Sequence, residues 1–150
     1  MKTTQADFGR FLRGPRAAAA KGFVSGDARR VVELSVPRGA ATFLGPGGGI
    51  VSGAARVNRT NLAGAKNFSP GGSTRLKVVH TEAGERLAFW TGFQRARVRM
   101  PGKPGPVAMN LRVTEIFRKE KPGWKMIHRH ADMLARPSAP KPRGARNGKR

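Results

Sequence analysis

The segment Gly123-Trp124-Lys125-Met126-Ile127-His128-Arg129-His130-Ala131-Asp132 constrains this 150-residue chain more than any other. Apolar and polar side chains alternate along it, so it reads as a β-strand with Trp124, Met126, His128, His130 and Asp132 on one face. Two of the three histidines in the chain lie here. Isolated buried charge is too costly to leave unpaired, so a strand patterned this way lines a pocket or faces a partner subunit.

The neighbouring segments supply its partners. Residues 107–118 also read as a strand, and the turn Lys119-Glu120-Lys121-Pro122 folds it onto 123–133 as an antiparallel hairpin. Thr74 to Thr81 and Glu85 to Met100 form a second pair around the short turn Glu82-Ala83-Gly84. Four sequential strands predict a meander. The long strand changes character midway: Leu87 to Trp90 are apolar on both faces, whereas Arg95, Arg97 and Arg99 alternate with Ala96, Val98 and Met100. Gly92, between the two halves, marks a bulge or bend. The arginine row is either a solvated outer face or a set of phosphate contacts at strand spacing.

The first half reads as helical. Phe8, Phe11, Leu12, Ala19 and Phe23 recur near helical spacing, which predicts one or two amphipathic helices over residues 5–25 with a break at Gly14-Pro15. Gly26 ends that stretch and Asp27 caps a second helix carrying Val31, Val32 and Leu34. A short strand over 40–44 leads into the glycine cluster 45–49, and 53–68 reads as a third helix, for an order α-α-β-α-β-β-β-β. Gly48 and Gly53 have the phosphate-loop spacing, but Ala54 stands where the essential lysine would be. The cluster therefore reads as turn residues rather than a nucleotide site.

Composition narrows the classes. A 38% hydrophobic content suits one domain over residues 1–135, while 136–150 carries six basic residues and no large apolar side chain and is expected to be a disordered basic tail. The chain has no cysteine, which excludes disulfides and thiol chemistry. Ala17 to Ala20 is too short an apolar run for a secretory leader or a membrane span, so a cytoplasmic protein without membrane association is expected. The net charge of +22 should attract polyanions, although no nucleic-acid motif accompanies it.

Five stretches carry a family resemblance: Val24-Ser25-Gly26-Asp27-Ala28, Phe43-Leu44-Gly45-Pro46-Gly47-Gly48, Ala88-Phe89-Trp90-Thr91-Gly92, Arg112-Val113-Thr114-Glu115-Ile116-Phe117 and Gly123 to His130. Together with the element order they resemble a SnoaL-like, ketosteroid-isomerase-like member of the nuclear transport factor 2-like superfamily over residues 5–134. The C-terminal hairpin also resembles the association domain of calcium/calmodulin-dependent kinase. The resemblance implies an α+β fold of the cystatin-like roll type: a cone-shaped, barrel-like curved antiparallel sheet wrapped around N-terminal helices. It further implies an apolar pocket and a homodimer. The superfamily holds isomerases, cyclases, dehydratases, hydrolases and noncatalytic transport and assembly domains, so function does not follow from fold. Ketosteroid isomerase builds its oxyanion hole from a tyrosine and a protonated aspartic acid, and this chain has no tyrosine.

Pairing the hairpin with Phe117 opposite Trp124 places Glu115 opposite Met126, Val113 opposite His128 and Leu111 opposite His130. Glu115 and His128 then lie within side-chain reach as candidate catalytic groups for proton abstraction beside a carbonyl or for activating water, with His130 and Asp132 in support. A Glu-His pair satisfied in the core or at a subunit interface fits the same pattern. Phe89, Trp90, Phe93, Val113, Trp124 and Met126 are the candidate walls of a ligand pocket. Two histidines and a carboxylate lack a further strong ligand other than His80, so neither a metal nor a cofactor is expected. Two functions remain open. One is a pocket protein, an isomerase, lyase or hydrolase acting on a small apolar carbonyl-bearing ligand. The other is a noncatalytic dimeric module whose basic surface and tail bind nucleic acid or an acidic partner.

Overall fold

The N-terminal apolar spacing produces a helical rod in three parts: α1 (Thr4–Phe11), a π-helical turn (Leu12–Arg16) and α2 (Ala17–Val24). The computed structural model describes residues 3–135, so the tail expected over 136–150 lies outside the described residues. The Thr3 hydroxyl caps α1 by accepting from the Ala6 N–H at 3.1 Å. Pro15 lacks an N–H and would clash with a carbonyl one turn back. The helix widens instead, so that the Ala17 N–H reaches Leu12 O, and the expected break at Gly14-Pro15 becomes a π turn. The rod ends at Gly26, with φ 98°. Asp27 accepts from the Arg29 N–H at 2.9 Å at the start of α3 (Arg29–Glu33).

Six strands form one sheet: β1 (Thr42–Leu44), β2 (Ile50–Ser52), β3 (Ser69–Ala83), β4 (Leu87–Arg99), β5 (Val107–Glu120) and β6 (Gly123–Met133), with α4 (Ala54–Ala65) between β2 and β3. The strand order is β2-β1-β6-β5-β4-β3. The four long strands make the expected antiparallel meander. Three features correct the sequence-based picture. The glycine cluster closes a β1–β2 hairpin whose second strand was not anticipated. β1 runs parallel to β6, because the chain arrives from the helices rather than through a hairpin and already follows β6 at Ser35 and Val36. The curved sheet is open, not a closed barrel, with β2 and β3 at its edges.

Gly92 lies opposite the expected irregularity, although the extra residue is on β3, between Val78 and His80. A Cβ at Gly92 would meet the Lys77 carbonyl oxygen at 2.0 Å, so only glycine permits this close approach. The inner face of the sheet packs on the helical rod through Phe8, Leu12, Trp90, Val113, Phe117 and Trp124. Phe8 stands edge-on to Trp124 and Phe117, with centroids 5.3 and 5.5 Å apart. Among the described residues no helix is long and apolar enough to cross a membrane.

Candidate functional site

A single extra residue decides what faces inward on β6. Phe117 pairs with Met126 and Ile116 with His128, which leaves Ile127 without a partner as a bulge. Strand faces alternate residue by residue, so everything after a bulge changes sides. Trp124 and Met126 point into the core, but beyond the bulge it is Arg129 and Ala131 that face inward, opposite Glu115 and Val113. His128, His130 and Asp132 take the other face. The expected register of Trp124 on Phe117, Met126 on Glu115 and His128 on Val113 is thereby corrected: Trp124 lies opposite Lys119.

Glu115 is fully buried and is met by guanidinium groups rather than an imidazole. Arg16 donates to it from two nitrogens, Nε to Oε1 and Nη2 to Oε2, each at 2.8 Å. The Trp90 indole N–H donates to Oε1 at 2.7 Å, and Arg129 Nη1 donates to Oε2. Arg129 Nη2 continues to Gln94 Oε1 at 2.8 Å, and Gln94 Nε2 to the Thr74 hydroxyl at 3.3 Å. The bidentate fork gives both oxygens fixed partners. Burial by itself raises a carboxyl pKa. The charges of Arg16 and Arg129 and their hydrogen bonds outweigh that effect and hold Glu115 at about 2. At neutral pH Glu115 is thus an ionised counterion whose two oxygens already accept four hydrogen bonds.

A pH dependence follows. The folded pKa lies below the ordinary 4.5, so the stabilisation from Glu115 is complete above pH 4.5 and is lost as pH falls toward 2. Urea midpoints measured from pH 6 to 2 should fall more steeply for the parent chain than for Glu115→Gln, which cannot titrate there. Equal slopes would show that this carboxylate is not the acid-labile group.

In front of this cluster lies a cavity of about 250 Å³ between α2, α3, α4, β1 and the inner sheet face. Its walls are largely apolar, with Phe23, Val57, Leu111 and Met126 among them, and Arg16, Arg129 and Gln94 form its polar end. Two positive charges against one carboxylate leave that end with a net positive charge. Arg16 Nη1 is buried without a hydrogen-bond partner, as is Asn58 Oδ1 on the α4 side. Each is a polar group left for a ligand or a water to satisfy.

The other anticipated residues spread over three places. Trp90, Val113 and Trp124 are core, and Met126 reaches the cavity. His128 borders the cavity through its place on β6, while its Nδ1 lies 2.7 Å from the Thr42 hydroxyl. Burial, and then the charge of His130, keep His128 below its usual pKa. On the outer face Asp132 is paired with Arg112, at 2.6 Å from Nε, and His130 lies 3.9 Å from Asp132. Arg112 holds Asp132 below the ordinary carboxyl range, chiefly through that hydrogen bond. Phe93 lines an outer-face recess, and Phe89 stands beside His80 at 5.4 Å between rings.

Arg16 and Arg129 were missed, and each had a signal. Arg16 falls four residues after Leu12 and three before Ala19, on the apolar stripe of the helix, where a cation requires a buried counter-charge. On β6 the apolar positions are even up to Met126 and odd at Ala131, a change of phase that announces the bulge.

The SnoaL-like domain family matches residues 17–136. Among solved structures, a protein of the nuclear transport factor 2-like family from Streptomyces avermitilis superposes with a TM-score of 0.70 at 21% identity, covering 83% of this chain and 94% of that one. The CamKII hub homology domain of Chlamydamonas reinhardtii gives 0.66 at 15% identity, covering 85% and 99%. A ketosteroid isomerase-like protein from Erwinia carotovora atroseptica gives 0.65 at 12% identity, covering 83% and 95%. At these identities the likeness is one of fold. No curated protein matches the sequence.

Proposed function

We propose, for a chain that belongs to the SnoaL-like domain family, that its cavity binds a small molecule with an apolar body and an oxygen-bearing, preferably anionic, head. The observation that carries this reading is the cavity of about 250 Å³ whose apolar walls end on the buried Arg16–Glu115–Arg129 cluster with Arg16 Nη1 unpartnered. Pockets of this composition hold a ligand by apolar burial and orient it by a few polar groups. A carboxylate there would neutralise the excess positive charge, and a carbonyl oxygen would accept the free N–H.

Binding is better supported than turnover. Glu115 is ionised and fully occupied behind Arg16 and Arg129, and no carboxylate lines the cavity among the described residues. His128, the one histidine bordering it among the described residues, is held through Nδ1 by Thr42. An isomerase, lyase or hydrolase working here would rely on guanidinium groups to stabilise a developing enolate or oxyanion, with its base supplied by the ligand or by water.

The test uses phenylacetate and 3-phenylpropionate alongside their methyl esters, titrated calorimetrically into the full chain. The carboxylates are expected to bind at least about tenfold more tightly than the esters. Val57→Phe, which fills the cavity from α4, should abolish binding of both. Equal affinity for acid and ester would remove the anionic head from the proposal, and binding unaffected by Val57→Phe would remove the cavity.

A further inference from the structure

Several polar side chains around the cavity are committed to neighbours. The Ser35 hydroxyl donates to Val31 O at 2.7 Å, the Thr60 hydroxyl donates to Arg56 O at 2.9 Å, Thr42 is held with His128, and Gln94 lies between Arg129 and Thr74. Two atoms of the cavity-lining residues are left buried without a partner among the described residues: Arg16 Nη1, a donor, and Asn58 Oδ1, an acceptor. The first belongs to the positive end of the cavity. The second sits on the α4 wall and requires the opposite kind of group, a hydrogen-bond donor.

Val57, Asn61 and Gly64 recur at helical spacing and turn one face of α4 toward the cavity, with Asn58 beside them. Asparagine is a poor helix former, so helix propensity does not account for its place inside α4. The chain leading into β1 accounts for half of its amide. Val36 runs beside β6 with its N–H on Met126 O at 3.1 Å, and the Val36 carbonyl accepts from Asn58 Nδ2 at 3.2 Å. That bond fixes the amide, because the flipped orientation would set Oδ1 against the Val36 carbonyl oxygen. Oδ1 is therefore the atom that remains, and an acceptor buried without a donor costs free energy.

We propose, resting on the cavity-binding reading above, that Asn58 Oδ1 is a specificity-determining subsite, and that the cavity selects largely apolar carboxylic acids carrying a hydroxyl or amide N–H away from the carboxylate. The carboxylate accepts from Arg16 Nη1, the apolar body lies along Val57, Leu111 and Met126, and the donor meets Asn58 Oδ1. An ammonium is a poor donor here, since no carboxylate lines the cavity among the described residues and the cation would be buried without a counterion. An ether or ketone oxygen at the same place would set acceptor against acceptor. A site built to bond a hydroxyl rejects the analogue lacking it, because its own buried acceptor is then left unpaired.

The test titrates the full chain calorimetrically with 3-phenylpropionate, its meta- and para-hydroxy derivatives and the matching methoxy ethers, and with two compounds that lack the carboxylate, para-ethylphenol and para-ethylanisole. One hydroxy acid is expected to bind about tenfold more tightly than 3-phenylpropionate and than its own methoxy ether, and para-ethylphenol to bind more tightly than para-ethylanisole. Asn58→Leu should erase both preferences with the affinity for 3-phenylpropionate retained, whereas Asn61→Leu should keep them. Hydroxy acids bound no more tightly than 3-phenylpropionate would overturn the subsite and leave the cavity reading standing, since a water would then satisfy Oδ1. A preference for para-ethylphenol, with 3-phenylpropionate and its methyl ester bound equally, would remove the anionic head and still support the subsite. Hydroxyl preferences that survive Asn58→Leu would overturn the assignment to Asn58, and an absence of binding by every compound would overturn cavity and subsite together. The ligand comparisons use the parent chain, so their outcome does not depend on the folding of a variant.

Discussion

Glu115→Ala is expected to destabilise the fold by about 3 to 5 kcal/mol, the cost of leaving buried charge without its partner. Arg16 is 3% exposed and the Arg129 side chain 16% exposed, so neither guanidinium can recover full hydration when the carboxylate is removed. Trp90 would lose its acceptor at the same time. The measurement is urea unfolding at pH 7 beside Asp132→Ala. That second substitution also breaks an arginine–carboxylate pair, but one whose partners are 62% and 38% exposed, and about 1 kcal/mol or less is expected. Equal losses in the two variants would mean that water reaches the Glu115 cluster and that its polar end is no anchor for a ligand.

Gly92→Ala is expected to cost about 3 kcal/mol, at the upper end for overpacking, because the added methyl meets main chain rather than a side chain that can turn away. The contact is the Lys77 carbonyl oxygen at 2.0 Å, with the Val79 nitrogen at 2.9 Å. Relief requires β3 and β4 to separate where the β3 bulge sits, next to the Phe93 recess. Gly14→Ala is the control: a Cβ there meets nothing within 4 Å, and the change should be neutral or slightly stabilising. Thermal midpoints of the two variants check the pair. A Gly92→Ala chain as stable as Gly14→Ala would show that the two strands do not approach so closely.

Much of the architecture was legible because it depends on neighbours along the chain. The four long strands were anticipated from alternation and turn residues, and the irregularity opposite Gly92 from a glycine inside an alternating run. β2 was missed, since three residues, Ile50 to Ser52, are too few to show a period. The parallel approach of β1 to β6 was missed because no short connection links them to set a direction. Pro15 was read as a break because sequence alone does not reveal that a helix can widen around it.

The candidate site divides in the same way. Sequence by itself determined that Glu115 shares a strand face with Val113 and Phe117 and that a charged group so placed needs a partner. Only the tertiary structure decided who that partner is. One is Arg16, 99 residues away in sequence, and the other is Arg129, delivered by the bulge at Ile127 in place of His128. The physical reason is that strand periodicity is local, whereas the phase after a bulge and the choice of counterion depend on which residues the folded core can bury against Glu115. The same change of phase sent His130 and Asp132 outward, away from the cavity.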